Sequence, residues 1–319
     1  MSDPIAHVAG TTALARAARL ARPTTVDGLI DSSLMARLDS LDVLSRKIFA
    51  GKVRGERRSR RRGQSVEFAD FRPYVPGDDL RFVDWNIYGR LDRLFLKLFL
   101  EEEDLTLALA IDTSASMGFG QPEKFTFARR LAMALGYVGL VNHNRVGLYA
   151  FGGDGVRPLT GLRGRRRVRE MGSWLLGLEC AGPTQFEQAM RTVALSRHGR
   201  GVLVIISDLM QEGAERSLRS IAGRGFDVYA MQVLSPEEID PGAHGVSGDL
   251  RLVDSESGAA TEVTAGTAVL AAYRKRLSAS CREIHEASVR FGISHSVVDT
   301  SCDFNALLLD YLRRRGVLK

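Results

Sequence analysis

From Leu105 onward, short apolar runs alternate with longer amphipathic segments, and this alternation constrains the fold more than any other feature of the chain. The apolar runs predict strands at 105–112, 145–151, 202–207, 227–233 and 294–299. The segments between and after them predict helices near 123–142, 165–178, 185–197, 213–223, 267–291 and 303–315. Strands separated by helices favour an α/β fold with a doubly wound, mostly parallel, Rossmann-like sheet.

Two segments depart from this alternation. Gly153 and Gly155 lie between short extended runs and predict a hairpin that adds an antiparallel edge strand at 156–160. The run 250–263, which turns at Ser257 and Gly258, predicts a second hairpin. The sheet is therefore predicted to be mostly parallel with one antiparallel edge strand.

The predicted α/β domain covers residues 105–319, and a smaller N-terminal region of helix and strand covers residues 1–104. Apolar residues recur every three or four positions from Ser33 to Phe49, which predicts an amphipathic helix capped by Ser32 or Ser33. A basic linker, Lys52–Arg62, follows it. The block 63–104 is rich in aromatic and charged residues, with extended segments expected at 65–68 and 94–100.

Composition excludes several classes of protein. The hydrophobic and charged fractions, 45% and 26%, are those of an ordinary soluble protein. The sequence has no run approaching the roughly 18 apolar residues of a transmembrane helix and no secretory signal core. Cys180, Cys281 and Cys302 are widely spaced and odd in number, which disfavours disulfides and a zinc site and indicates a reducing, cytoplasmic compartment. A metal site in this chain would therefore be built from oxygen ligands.

A candidate site begins where the first of these strands ends. Asp112-Thr113-Ser114-Ala115-Ser116 places one carboxylate and two hydroxyls on a single loop. Taken alone, this pentapeptide is also typical of a helix cap. Two further oxygen-bearing residues favour a binding site over a helix cap. Thr184 precedes a predicted helix, and Asp208 follows the strand 202–207.

Ligands of open α/β sheets bind at the carboxyl ends of the strands, where these loops should meet. Carboxylate and hydroxyl oxygens are hard ligands that suit Mg²⁺, with Mn²⁺ or Ca²⁺ as substitutes. The sequence therefore brings oxygen-bearing side chains of a kind that suits Mg²⁺ to one edge of the predicted sheet, those of Asp112, Ser114, Ser116, Thr184 and Asp208.

Over residues 105–319 this pattern resembles the metal-ion-dependent adhesion site of von Willebrand factor A domains. The resemblance implies that the hydroxyls of Ser114, Ser116 and Thr184 coordinate Mg²⁺, while Asp112 and Asp208 act directly or through water. A cation held by two carboxylates stays partly unneutralised and attracts a carboxylate from a partner. The motif offers no His or Glu as a general base, which favours a non-enzymatic binding role.

The pattern departs from the family in one place. Leu209 follows Asp208, where many A domains have glycine. The difference is expected to affect the shape of the loop more than the ligation of a metal.

The block 63–104 resembles the signature of the domain-of-unknown-function 58 family. The matching residues are Glu67-Phe68, Arg72-x-Tyr74, Pro76-Gly77-Asp78-Asp79-x-Arg81 and Asp84-Trp85. The resemblance implies that the chain acts with a MoxR-type AAA+ ATPase, or with a client of that ATPase, in protein maturation or complex assembly. Many relatives carry membrane-spanning segments, which this sequence lacks.

The role of this block stays open between a folding determinant and a partner-binding surface. Our hypothesis is that five charged residues form an ion-pair network that ties the preceding segment to the sheet: Arg72, Asp78, Asp79, Arg81 and Asp84.

Two alternative functions remain at this stage. A nucleic-acid or anionic-surface binder could use the arginine clusters Arg57–Arg62 and Arg163–Arg169, and peripheral membrane contact stays open. Nucleic acid is not the expected partner, because the first basic run lacks interleaved aromatic residues for base stacking. A Mg²⁺-dependent phosphohydrolase could use the same oxygen ligands, but it would need a nucleophile or base that the motif does not contain.

Overall fold

The computed structural model describes residues 22–43, 67–100, 105–195, 201–256, 258–314 and 317–318. The chain divides into two compact units, a small one at Gly51–Asp104 and a large one that combines Met1–Ala50 with Leu105–Lys319. One border of the small unit therefore coincides with the predicted boundary between residues 104 and 105. The N-terminal residues, however, group with the large unit.

Two short helices, α1 (Val26–Leu29) and α2 (Ser32–Leu38), explain this grouping. Their apolar side chains, among them Leu29 and Leu38, are buried in the same hydrophobic core as the central sheet. The cap of α2 is Asp31, whose carboxylate accepts a hydrogen bond from the Leu34 amide at 2.7 Å, so the prediction of Ser32 or Ser33 is wrong. The helix predicted for 33–49 ends at Leu38, and its part beyond residue 43 lies outside the described residues.

The small unit is built on an antiparallel pair of strands, β1 (Glu67–Pro73) and β2 (Phe95–Leu100). A 3-10 turn at Leu80–Phe82 and helix α3 (Trp85–Leu91) connect them. Asp84 caps α3, because its carboxylate accepts hydrogen bonds from the backbone amides of Asn86 and Ile87.

The charged residues of this unit form a different pattern from the predicted network. Arg72 pairs with Asp78, and this contact lowers the pKa of the Asp78 carboxyl. Arg81 pairs with Asp79 at 2.5 Å. Asp84 pairs with Lys97 at 3.0 Å, a partner that the hypothesis did not include.

The large unit contains a six-stranded sheet in the order β10-β7-β6-β3-β4-β5, with the small β8–β9 hairpin separate from it. The strands are β3 (Thr106–Asp112), β4 (Arg145–Gly152), β5 (Gly155–Leu162), β6 (Gly201–Ser207), β7 (Phe226–Leu234), β8 (Gly248–Val253), β9 (Ala260–Ala265) and β10 (Ser294–Asp299). All pairings within the six-stranded sheet are parallel except that of β5 with β4. The predicted fold class, including the antiparallel edge strand, is confirmed.

Helices cover both faces of the sheet. They are α4 (Lys124–Val141), α5 (Val168–Leu176), α6 (Phe186–Leu195), α7 (Ala214–Ile221), α8 (Pro236–Ile239), α9 (Thr267–Arg290), α10 (Phe304–Ala306) and, after a π-helical turn at Leu307–Tyr311, α11 (Leu312–Arg314). One hydrophobic cluster joins the sheet to α4 and α5, and a second joins its other face to α6 and α7. None of the described helices is both long and apolar enough to cross a lipid bilayer.

The strand order creates a crevice at the centre of the sheet. From β3 the chain moves to β4 on one side, and it later returns to β6 on the other side of β3. The carboxyl ends of β3 and β6 therefore flank a topological switch point, which is where open α/β sheets bind their ligands. Asp112 is the last residue of β3, and Asp208 directly follows β6.

Candidate metal centre

The structure brings the five predicted site residues to this switch point. We call them the oxygen cluster: Asp112, Ser114, Ser116, Thr184 and Asp208. Their side chains come from the loops after β3 and β6 and from the loop before α6.

Asp112 is fully buried and lies at the centre of the cluster. One carboxylate oxygen accepts a hydrogen bond from the Ser114 amide at 2.9 Å, which closes a tight turn. The other oxygen accepts from the hydroxyls of Ser207, at 2.6 Å, and Thr184, at 3.4 Å. One carboxylate thus connects the three loops of the site.

The two serines of the first loop are free of the helix-capping role that their spacing also suggested. Among the described residues, Ser114 makes no side-chain capping hydrogen bond to the 3-10 turn Ala115–Gly118, and α4 begins only after Glu123. The Oγ atoms of Ser114 and Ser116 instead lie 3.0 Å apart. The pair presents two hydroxyl oxygens beside the buried carboxylate.

Backbone contacts hold the Thr184 loop against the first loop. The Ala181 amide donates to the Thr113 carbonyl at 3.0 Å, and the Ala115 amide donates to the Gly182 carbonyl at 2.9 Å. Gly182 has a φ of +62°, and a Cβ added there would lie 2.7 Å from the Cα of Gly153. Only glycine fits so close an approach in this left-handed conformation.

A buried lysine that the sequence reasoning missed occupies the other side of the site. The Nζ atom of Lys124, at the start of α4, lies 2.9 Å from Asp208 and 2.6 Å from Glu238. The Lys124 side chain is 1% exposed. Burial alone would lower the pKa of this ammonium group, but the charges of Asp208 and Glu238 outweigh burial and raise it. The available signal was a lysine at the first position of a helix that is mostly apolar, with Thr126, Arg129 and Arg130 as its other polar or charged residues.

The two carboxylates of the oxygen cluster are therefore compensated unequally. Asp208 has the ion pair with Lys124, whereas Asp112 forms hydrogen bonds with neutral donors among the described residues. Burial, together with the nearby charge of Asp208, raises the pKa of Asp112 to about 7, although the bonds from Ser207 and Ser114 oppose the shift. A cation next to Asp112 would reduce the free-energy cost of keeping its carboxylate charged while buried.

The donor set fits such a cation. Two carboxylates and three hydroxyls are hard oxygen ligands of the kind that Mg²⁺ uses together with retained waters. No three His, Cys, Asp or Glu side chains of the described part of the chain are grouped closely enough to hold a metal ion. A metal ion at this position would be coordinated by hydroxyl oxygens as well as by the two carboxylates.

Contacts within the domain support the loop after Asp208, which has Leu209 where many A domains have glycine. Leu209 adopts a φ of +53°, the left-handed region that glycine favours, and its side chain is buried. Its amide donates to the Ser207 hydroxyl at 3.1 Å, and the Gln232 amide group donates to the Asp208 carbonyl at 2.9 Å. The expectation that Leu209 would affect the loop shape did not foresee these supporting contacts.

The crossover topology and the antiparallel edge strand are those of a von Willebrand factor A-like domain. The family model described as "Protein of unknown function DUF58" matches residues 70–285, and the chain belongs to this family. The match covers the signature block from residue 70 onward and most of the A-like domain.

Comparison with known proteins gives relatives along nearly the whole chain. The uncharacterized protein Rv1480 of Mycobacterium tuberculosis is 28% identical over 306 residues, which cover 93% of this chain and 95% of that protein. The crystal structure of the conserved hypothetical protein BatB from Bacteroides thetaiotaomicron covers 61% of this chain and 90% of its own, with 18% identity and a TM-score of 0.38. The crystal structure of the SpRpn10 VWA domain covers 65% of this chain and 94% of its own, with 15% identity and a TM-score of 0.39.

Proposed function

We propose that this protein is a non-enzymatic, Mg²⁺-dependent adaptor that captures an acidic residue of a partner protein. The observation that carries the proposal is the burial of Asp112 among neutral hydroxyls at the switch point of the sheet. The hydroxyls of Ser114, Ser116 and Thr184 would hold the cation, and Asp112 and Asp208 would balance its charge directly or through water. When bound, the cation supplies a partly neutralised position that accepts a carboxylate oxygen.

The surroundings of the cluster favour binding over hydrolysis. A hydrolase needs a general base next to the reacting water. Glu238, the acidic neighbour of Asp208, is held by Lys124 and also accepts a hydrogen bond from the Ser235 amide at 2.8 Å. Its carboxylate is thereby committed to fixed partners.

The partner that the family resemblance suggests is a MoxR-type AAA+ ATPase, or a client that this ATPase remodels. In this proposal the chain works in the cytoplasm and presents its oxygen cluster to the partner during protein maturation or complex assembly. The small unit, which carries the family signature, would make a second contact with the same machinery.

The arginine clusters support a nucleic-acid function less well. Arg165 donates to the Tyr137 hydroxyl at 2.8 Å and to Asp39 at 3.2 Å, and Arg167 pairs with Glu170. These guanidinium groups already have partners within the chain. The other cluster, Arg57–Arg62, lies outside the described residues.

The test is a Mg²⁺-dependent pull-down of the organism's MoxR-type ATPase by the full chain. Ser116→Ala removes one hydroxyl of the oxygen cluster and should weaken capture at least about tenfold, as the loss of a metal-site contact typically does. The matched control is Ser301→Ala, because Asp299-Thr300-Ser301 repeats the Asp-Thr-Ser turn at the end of β10, with the Ser301 amide 2.7 Å from Asp299. The control should bind like the wild type. Capture that persists in chelator, or that Ser116→Ala leaves unchanged, would contradict the proposal.

A further inference from the structure

A buried glutamine lies near the carboxyl end of strand β7, next to the oxygen cluster. Gln232 is fully buried and pairs in register with Ser207 of β6, the residue before Asp208. Its side-chain nitrogen donates to the Asp208 carbonyl at 2.9 Å and lies 3.9 Å from the Met210 sulfur. A buried amide needs a partner for its oxygen as well as for its nitrogen.

The partner of the amide oxygen is a buried histidine on the neighbouring strand. The Nε2 atom of His295, on β10, lies 3.2 Å from the Oε1 atom of Gln232, and His295 is 3% exposed. The Nδ1 atom of the same ring lies 3.4 Å from Nδ1 of His285, a half-buried residue of α9. A continuous series of polar contacts therefore runs from α9 across β10 and β7 to the loop of Asp208.

The chemistry of these groups determines which atom donates in each contact. A carbonyl oxygen only accepts, so the nitrogen of Gln232 must face Asp208 and its oxygen must face His295. The Nε2 atom of His295 must therefore carry a proton. In a neutral His295 ring, Nδ1 is then an acceptor, and the proton between the two histidines belongs to His285. Each donor in the series points towards Asp208.

The loop that receives the last of these hydrogen bonds has a strained backbone. Leu209 is a buried residue other than glycine, and its φ is +53°. Such a conformation persists only where the surrounding contacts hold it. Ser207 accepts from the Leu209 amide at 3.1 Å, and Gln232 donates to the preceding carbonyl, that of Asp208. Loss of the Gln232 contact would let the loop relax, and the relaxation would displace the Asp208 carboxylate.

We propose that Gln232 and His295 are positioning residues of the oxygen cluster, which hold the Asp208 loop in the shape that a bound cation requires. This inference rests on the proposed function, because it assigns supporting residues to the same site. His295 acts through Gln232, since it holds the amide in the orientation that donates to Asp208. Hydrogen-bond partners behind metal ligands orient those ligands, and their loss typically lowers metal affinity by about 10- to 100-fold.

The test measures Mn²⁺ binding to the full chain by electron paramagnetic resonance. Gln232→Met removes both amide contacts at nearly constant side-chain size and should weaken binding at least about tenfold. His295→Leu should also weaken binding, because the amide loses the partner of its oxygen. His295→Gln keeps an N–H donor at a similar distance from the backbone and should restore the affinity of the wild type.

The matched control is Tyr137→Phe, which removes the hydroxyl of another buried side chain and its hydrogen bond to Asp39. Tyr137 lies roughly 20 Å along α4 from the first residue of that helix, at about 1.5 Å per residue. The control should lose stability in urea unfolding and bind Mn²⁺ like the wild type. Unchanged Mn²⁺ affinity in Gln232→Met would overturn the inference. A loss in His295→Gln as large as that in His295→Leu would overturn the role of the His295 donor.

Two measurements without metal separate this inference from the proposed function. The Leu209 and Met210 amides both form hydrogen bonds within the loop, and their hydrogen exchange should accelerate in Gln232→Met and not in the control. Nitrogen NMR of the His295 ring should show the proton on Nε2, and a proton on Nδ1 alone would overturn the assigned direction and the role of His295.

The combined results distinguish the two failures. If the wild type binds no Mn²⁺, the proposed function fails, and the positioning of a metal ligand fails with it. If the wild type binds Mn²⁺ while Gln232→Met changes neither amide exchange nor Mn²⁺ affinity, the positioning inference alone fails.

Discussion

Replacing Asp112 with asparagine removes the charge at the centre of the oxygen cluster while it nearly preserves the shape of the side chain. In the folded protein, burial and the charge of Asp208 raise the pKa of Asp112 from its ordinary value of 3.8 to about 7. A raised folded pKa means that the folded state holds the proton more tightly than the unfolded chain does. The carboxyl therefore imposes no folding penalty below about pH 4, an increasing penalty from about pH 4 to pH 7, and a constant penalty above that.

The size of the penalty follows from the same shift. One pKa unit corresponds to about 1.4 kcal/mol, so the penalty reaches about 4 kcal/mol at most. Asparagine must rearrange the bonds that Asp112 accepts from the hydroxyls of Ser207 and Thr184, which costs about 1 kcal/mol. Without metal at about pH 7.5, Asp112→Asn should be more stable than the wild type by about 1–3 kcal/mol, and by about pH 4.5 most of this advantage should be gone.

The assay is urea unfolding in chelator at these two pH values, repeated with Mg²⁺. Asp299→Asn is the control, because Asp299 forms the same kind of turn at a half-buried position after β10. Mg²⁺ should stabilise the wild type and the control, by about 1.4 kcal/mol at ten times the dissociation constant, and should leave Asp112→Asn nearly unchanged. A variant that gains no stability at neutral pH, or whose gain is as large at low pH, would refute the electrostatic reasoning.

Two other substitutions test the supports of the site. Lys124→Met leaves Asp208 and Glu238 without their shared cation, so it should lower the free energy of unfolding, measured with urea, by about 3–5 kcal/mol. Addition of Mg²⁺ should restore part of this stability. A decrease below about 1 kcal/mol would show that the lysine does not compensate these charges. Gly182→Ala should lower Mn²⁺ affinity at least about tenfold, because the added Cβ would push the Thr184 loop away from Gly153. The control Gly213→Ala also has positive φ but meets no atom within 4 Å, so it should affect stability without affecting metal affinity.

Much of the fold was predictable because strands buried on both faces leave a continuous apolar signature. The predicted strands at 202–207 and 227–233 differ by at most one residue at each end from β6 and β7. Helix ends were less predictable, since local sequence allows several caps. Asp31 takes the cap of α2 in place of the adjacent serines, and α2 ends at Leu38 although the apolar periodicity continues.

The five residues of the oxygen cluster could be selected from sequence because each follows a strand or precedes a helix in a loop. Carboxyl ends of parallel strands meet at one edge of a sheet, so strand order alone brings Asp112 and Asp208 together. Their role as metal ligands remains a prediction. The cation next to Asp208 could not be found in this way, because nothing near Lys124 in the sequence indicates that two distant carboxylates surround it.

The sequence by itself determined the α/β class, the antiparallel edge strand and the loop positions of the oxygen cluster, because periodicity and loop position depend on residues that are close in the chain. Only the tertiary structure decided how charge is balanced at the site. The ion pair that compensates Asp208 and the neutral surroundings that raise the pKa of Asp112 both join segments far apart in sequence. Burial and Coulomb energy depend on distance in space, and that distance is set by the packing of the whole domain.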